Sequence, residues 1–331
     1  MDLRQLQALV AVADHGTFSA AADALNTVQS NVSAHIARLE RELGAILVDR
    51  SAGRLTEEGQ TVVDRARRIE SELDALASDL AALQDQVTGR VRVGMIGTTA
   101  RWLVPLLLEA MRGRHPGVAL EVVDATSTSL EPQLLKGSLD LAVVHLPLTD
   151  ADLSTRPLFD EDLMLFVPPD DPLGVGDDLA LSQLAHLELL LPPQGTSFRQ
   201  LLDLAATAAG VRLRSCAELD GIRLIASLAM AGHGPAILPA TAIPPEMRDR
   251  VAAVRVPELP RREVGVALRR RGLPSAATRA FLDTLHEVVG ANARAEDGLH
   301  LVAGVRYEGG TASASGHAVR RAGAPTGADP T

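Results

Sequence analysis

The side chains best suited to chemistry in this sequence are short amides and hydroxyls, and they fall into two groups. The first lies in "NTVQSNVSAHIARLERELG", residues 26–44, where Thr27, Gln29, Ser30, Ser33, His35 and Arg38 precede or enter a helical repeat. A helix cap requires only one or two such groups. Gln can pair with adenine through N6 and N7, Ser donates or accepts, and Arg favours guanine or phosphate, so the surplus suits base edges. A capped surface helix with a polar face is the plainer reading. The second group is Thr98, Thr99, Thr126, His145, Thr196 and Ser197, which sit where apolar strand patterns end or helical patterns begin. Hydroxyls and free N–H groups at helix N-termini suit a carboxylate or phosphate. Capping is again the plainer alternative.

Enzymatic patterns are weaker. "GMIGTT" lacks a G-x-G-x-x-G and a Walker lysine, and "GHG" at 232–234 reads as a tight turn. Ser197 stands in "GTSFR", not in a G-x-S-x-G elbow. The nine histidines show no metal-ligand spacing, so neither metal nor cofactor is expected. Cys216 reads as a strand core residue, and the acidic runs at 160–162 and 170–171 read as solvated loops.

The elements that must position these groups are legible as periods. Leu3, Leu6, Leu9, Val10 and Ala13 form a helical stripe. A short second helix follows, capped by Thr17 or Ser19. The third carries Val32, Ile36, Leu39 and Leu43 on one face and stops at Gly44. "AILVDRSAGRLT" reads as two strands about a turn, flanked by Arg50 and Arg54, where cations could meet phosphates. Three helices and a hairpin in this order describe a winged helix-turn-helix, whose recognition helix enters the major groove by its N-terminal part. On this reading Gln29, Ser30, Ser33 and His35 occupy the exposed side of the third helix.

From Thr56 the pattern becomes one long helix. Val62, Ala66, Ile69, Leu73, Leu76, Leu80, Leu83 and Val87 are spaced 4, 3, 4, 3, 4, 3, 4. A sustained 3.5-residue period keeps one stripe against a partner helix, so Ile69, Leu73, Leu76, Leu80 and Leu83 read as a dimer seam. Beyond residue 90, apolar strands alternate with helices, as in doubly wound parallel sheets that bind ligands beyond their strand ends.

Bulk composition bounds the possibilities. The chain of 331 residues suits two or three domains. Its formal net charge of −10 argues against general coating of polyanions, and residues 1–60 hold five Arg against eight Asp plus Glu. Any nucleic-acid site must therefore be local. One cysteine and no signal-peptide pattern fit a reducing cytoplasm.

"FSAAADALNTVQSNVSAHIARLERELGAILVDR" followed by "LTEEG" resembles the DNA-binding end of the LysR-type transcriptional regulators. "GSLDLAVVH", "RPLFDEDLMLFVPPDDPL", "QGTSFRQLL" and "GHGPAILP" fall where that family has comparable segments. The sequence departs from the family at Val48, where an aromatic is usual. The resemblance implies a winged helix-turn-helix over 1–56, a linker and dimerisation coiled-coil helix over 57–88, and an effector domain over 91–290. That domain would hold two Rossmann-like lobes arranged as in periplasmic binding proteins, residues 91–162 plus 268–290 and residues 163–267. The tail 291–331, rich in Gly, Ala and Ser, reads as disordered. The expected protein is a cytoplasmic homodimer or homotetramer that binds operator DNA and senses a small, anionic metabolite. An enzyme or solute-binding protein on the same bilobal fold is the rival, opposed by the helix-turn-helix and the heptads.

Overall fold

The computed structural model describes residues 1–302 apart from residues 52, 176 and 177. Helices α1 (Leu3–His15), α2 (Phe18–Ala24) and α3 (Gln29–Leu43) bury Leu9, Ala21, Val32, Ile36 and Leu39 in one small core. Asp2 and Gln5 make a reciprocal capping box on α1, and Thr17 caps α2 through the Ala20 N–H. Strands β1 (Val48–Asp49) and β2 (Arg54–Leu55) pair antiparallel as the wing. Val48, the position of the departure noted above, is buried and belongs to this core. Helix α4 (Glu57–Ala82) starts at Thr56, whose hydroxyl accepts from Gly59, with Glu57 and Glu58 favouring the positive end of the dipole. A Cβ at Gly59 would lie 2.0 Å from the carbonyl oxygen of Leu47, so only glycine lets α4 start this close to the wing.

Helix α4 ends at Ala82, five residues before the last heptad position, Val87. Asp85 adopts φ +59°, a conformation no right-handed helix accommodates, and Leu83 is the C-cap. Val63 and Ala66 pack on the N-terminal core, while Ser78 and Asp79 reach the N-terminal end of α9 (Ala276–Asn292). The heptad row between those contacts stays exposed, from Ile69 at 39% through Leu73 at 40% and Leu76 at 58% to Leu80 at 56%.

The rest of the described chain builds two sheets. Lobe I contains β3 (Thr88–Met95), β4 (Gly117–Asp124), β5 (Leu141–His145), β6 (Leu153–Glu161), β12 (Arg262–Arg269) and β13 (Leu299–Leu301), in the order β13-β6-β12-β5-β3-β4. Lobe II contains β7 (Leu163–Val167), β8 (Glu188–Leu191), β9 (Arg214–Glu218), β10 (Ala236–Pro239) and β11 (Ala252–Arg255), in the order β11-β7-β10-β8-β9. Helices α5 (Gly97–Arg114), α6 (Ser127–Lys136) and α9 belong to lobe I, and α7 (Ser197–Ala208) and α8 (Ile222–Met230) to lobe II.

The fold departs from the sequence expectation in three respects. The sheets are mixed, not wholly parallel, because β7 and β12 return antiparallel as the chain crosses between lobes. The second crossover precedes Arg262, so β12 joins lobe I, where its Val264 and Val266 bury beside Phe159. Residues 291–302 are ordered: α9 continues to Asn292, and Leu299–Leu301 pair with β6. Residues 303–331, also expected to be disordered, lie outside the described residues.

Candidate functional site

On α3 the side chains of Gln29, Ser30 and Arg38 are exposed, while Thr27 and Ser33 are partly so. Thr27 accepts a hydrogen bond from Asn31 Nδ2 at 3.0 Å across the first turn. Val28, the N-cap, offers no side-chain acceptor, so the cap geometry does not consume Gln29 or Ser30. His35 is partly exposed, as Ser33 is. It lies three residues after Val32 and four before Leu39, on the flank of the buried stripe, and its Nδ1 is shielded from solvent. Arg54 is exposed on the wing. Arg50 bends back instead: its Nη1 donates to Ser33 at 3.2 Å, and its guanidinium lies 5.6 Å from the Phe18 ring. The wing and recognition helix therefore form one polar face, with Arg50 linking them.

The second group meets at a cleft of about 460 Å³ between the lobes. The first residues of four helices line it: Gly97 of α5, Ser127 of α6, Ser197 of α7 and Ile222 of α8. The N-cap residues of α5, α6 and α8 make no side-chain hydrogen bond to their first turns, so these positive helix ends border the cleft without a side-chain cap. Helix α7 differs, because Thr196 accepts from Arg199 and donates to Pro193, committing its hydroxyl to its own loop. Thr98, Thr126, His145, Thr196 and Ser197 all border the cleft. Thr99 does not. It is buried a hundred degrees round α5 from Thr98, on the side away from the cleft lining.

Charge in the cleft was missed by the sequence reading. Arg262, 3% exposed, donates through Nε to Glu161 at 3.1 Å and through Nη2 to Thr98 at 3.0 Å. Glu161, fully buried, also accepts from the backbone N–H of Thr241 at 2.7 Å. The acidic run at 160–162 is thus not a solvated loop: its middle residue anchors the cleft floor. Burial, followed by the nearby Arg262 charge, lowers His145 to about 4, so its imidazole is neutral at neutral pH. His145 Nδ1 has no hydrogen-bond partner among the described residues. At the cleft mouth Arg223 of lobe II pairs with Asp124 of lobe I. An arginine just before an apolar strand, in "PRREVGV", is the signal that could have exposed Arg262. Cys216, expected in the core, is exposed on the edge strand β9.

A winged helix-turn-helix joined through one long helix to a two-lobed domain with an anion-receptive cleft defines a class, the ligand-responsive DNA-binding regulators. Residues 3–60 match the family of bacterial regulatory helix-turn-helix proteins of the lysR type, and residues 84–290 match the LysR substrate binding domain. The chain is 35% identical over 295 residues to a probable hydrogen peroxide-inducible genes activator of Mycobacterium leprae, covering 86% of this chain and 93% of that one. Among solved structures it is similar to a full-length OxyR variant from Pseudomonas aeruginosa, with 25% identity, TM-score 0.70, and 87% and 94% of the two chains covered. It is similar also to full-length CbnR complexed with its target DNA, with 25% identity, TM-score 0.64, and 88% and 100% covered. The chain belongs to the LysR family of transcriptional regulators: it binds DNA through its N-terminal domain and a small effector through its C-terminal domain. Among the described residues, no helix is long and apolar enough to cross a membrane.

Proposed function

We propose that Gln29, Ser30 and Ser33 read base edges, with Arg38 beside them, while Arg50 and Arg54 hold phosphates. In the free protein Arg50 occupies the Ser33 hydroxyl. A phosphate oxygen is the stronger partner for a guanidinium, so docking on DNA would draw Arg50 away and free Ser33 for a base. The exposed row Ile69, Leu73, Leu76 and Leu80, with Leu83 just past the helix end, would pair two subunits and set the distance between their recognition helices.

The effector of this regulator is a small anion held between the lobes. The observation that carries this reading is the convergence of three helix N-termini without side-chain caps on a cleft whose neutral His145 has an unpaired ring nitrogen. The M. leprae relative is named for peroxide-inducible genes. With Cys216 the only cysteine among its 331 residues, this chain can form no disulfide within itself, which favours a bound effector over an internal thiol pair.

Thr126 and Ser197 test the site, because neither caps its helix through its side chain and they line the cleft from different lobes, the Thr126 hydroxyl meeting only that of Ser129 at 3.1 Å. A panel of monocarboxylates, dicarboxylates and phosphate esters, read by thermal shift, will contain compounds that stabilise the wild type. At a concentration about a hundredfold above the dissociation constant, stabilisation approaches ~2.7 kcal/mol. The double variant Thr126→Val, Ser197→Ala will lose most of that shift. Equal stabilisation of variant and wild type by the same compound would remove both residues from the site.

A further inference from the structure

The segment that follows α9 reaches both lobes. Ala293–Ala295 makes a 3-10 turn with Ala293 buried in the lobe I core, and β13 then pairs antiparallel with the outer edge of β6, Leu299 opposite Glu161. Between these two anchors Glu296 accepts from Arg248 Nη2 at 2.7 Å, and Asp297 lies 3.8 Å from the same guanidinium. Arg248 belongs to lobe II, in the 3-10 turn Pro245–Arg250.

Asp162 stands where these contacts meet. It is the one residue between β6 and β7, and so forms the first crossover from lobe I to lobe II. Its N–H donates to the Gly298 carbonyl at 2.8 Å, and its own carbonyl accepts from Ala240 of lobe II at 3.0 Å. Its carboxylate accepts from Arg261 Nε, on the second crossover, at 2.9 Å and lies 2.9 Å from His300 Nε2. Gly298 has φ +80°, and a Cβ there would lie 2.7 Å from the Cβ of Ala240. The segment therefore passes against lobe II as closely as backbone allows.

Motion of two lobes about two crossover strands requires those strands to change their backbone angles. A third strand hydrogen-bonded at the same point resists that change. We propose that residues 293–302 form a hinge clasp, which fastens both crossovers at Asp162 and lobe II at Arg248, and thereby sets how readily the lobes move. The LysR substrate binding domain match ends at residue 290, so the clasp lies just beyond the matched part of the chain. Its backbone pairing with β6 is the fixed half of the device. The Arg248–Glu296 pair, with side chains 39% and 19% exposed, is the releasable half.

Two amides report on the hinge without any effector. The N–H of Ala240 donates to the Asp162 carbonyl, and that of Thr241 to the Glu161 carboxylate, so each crosses between lobes. Hydrogen–deuterium exchange on the full-length chain will show the peptide containing both exchanging roughly fivefold faster in Arg248→Gln, the scale of one part-exposed ion pair. Exchange in α9 and β12 will be unchanged. Gly298→Ala, which wedges the segment off Ala240, will do the same by an independent route. Acceleration confined to residues 293–302 would show a tethered chain end and overturn the clasp, as would unchanged exchange at Ala240 and Thr241 in both variants.

Discussion

Replacing Leu73 and Leu76 with Asp will leave each subunit folded, separate the subunits, and lower operator affinity by about 10²-fold or more. The fold survives because both side chains are already exposed within the subunit, at 40% and 58%. What holds α4 in place is elsewhere: Val63 and Ala66 against the N-terminal core, Ser78 donating to the Thr88 carbonyl at 2.7 Å, and Asp79 accepting from Ala276 at 2.8 Å. In a paired seam four carboxylates per dimer would enter an apolar interface, a transfer of several kcal/mol each unless they protonate. A lone subunit then presents one recognition helix, and the advantage of a second, tethered head is lost. Sedimentation velocity and operator titration read both consequences. An intact dimer with normal binding would take the seam out of the account.

Glu161→Ala will destabilise the effector domain by about 3–5 kcal/mol, the cost of leaving a buried charge without its partner. Arg262 would keep the Thr98 hydroxyl and the face of the Phe198 ring but no anion, and the Thr241 N–H and hydroxyl would lose their acceptor in the same step. Glu161→Gln retains an acceptor for Thr241 but not the charge, so it will fall between wild type and alanine. Glu161→Leu combined with Arg262→Met removes both charges and will recover much of the loss, since an apolar pair of similar volume is often as stable as a buried ion pair. Urea unfolding midpoints at constant m-value measure all three. A loss under about 1 kcal/mol for Glu161→Ala would mean that water or another cation partner satisfies Arg262.

Periodicity made most of the architecture legible. The 3.6-residue stripes of α1 and α3 and the 3.5-residue row of α4 were visible because each buries or pairs one face over several turns. Single positions were harder. Thr98 and Thr99 differ by one residue and by a hundred degrees on α5, and no local pattern says which faces the cleft. Nothing in "EVGVALRR" reveals which sheet it joins, because a buried strand reads alike in either lobe. Arg262 and Thr98 lie 164 residues apart, so their hydrogen bond belongs to topology. Residues 293–302 were hidden by composition: a short strand that borrows its partner from β6 needs no amphipathic repeat of its own.

The claim on which the rest depends is that the face of α3 reads sequence while the wing only grips. Fluorescence anisotropy with the preferred duplex, selected from a random pool, and a scrambled duplex, over a range of salt, separates the two roles. Gln29→Ala will lose about 1–3 kcal/mol on the preferred duplex at one base pair and little on the scrambled one. Arg54→Ala will weaken both alike and flatten the salt dependence by about one counterion. Equal losses on both duplexes for Gln29→Ala would contradict the account, because a residue that holds only phosphate cannot choose among sequences.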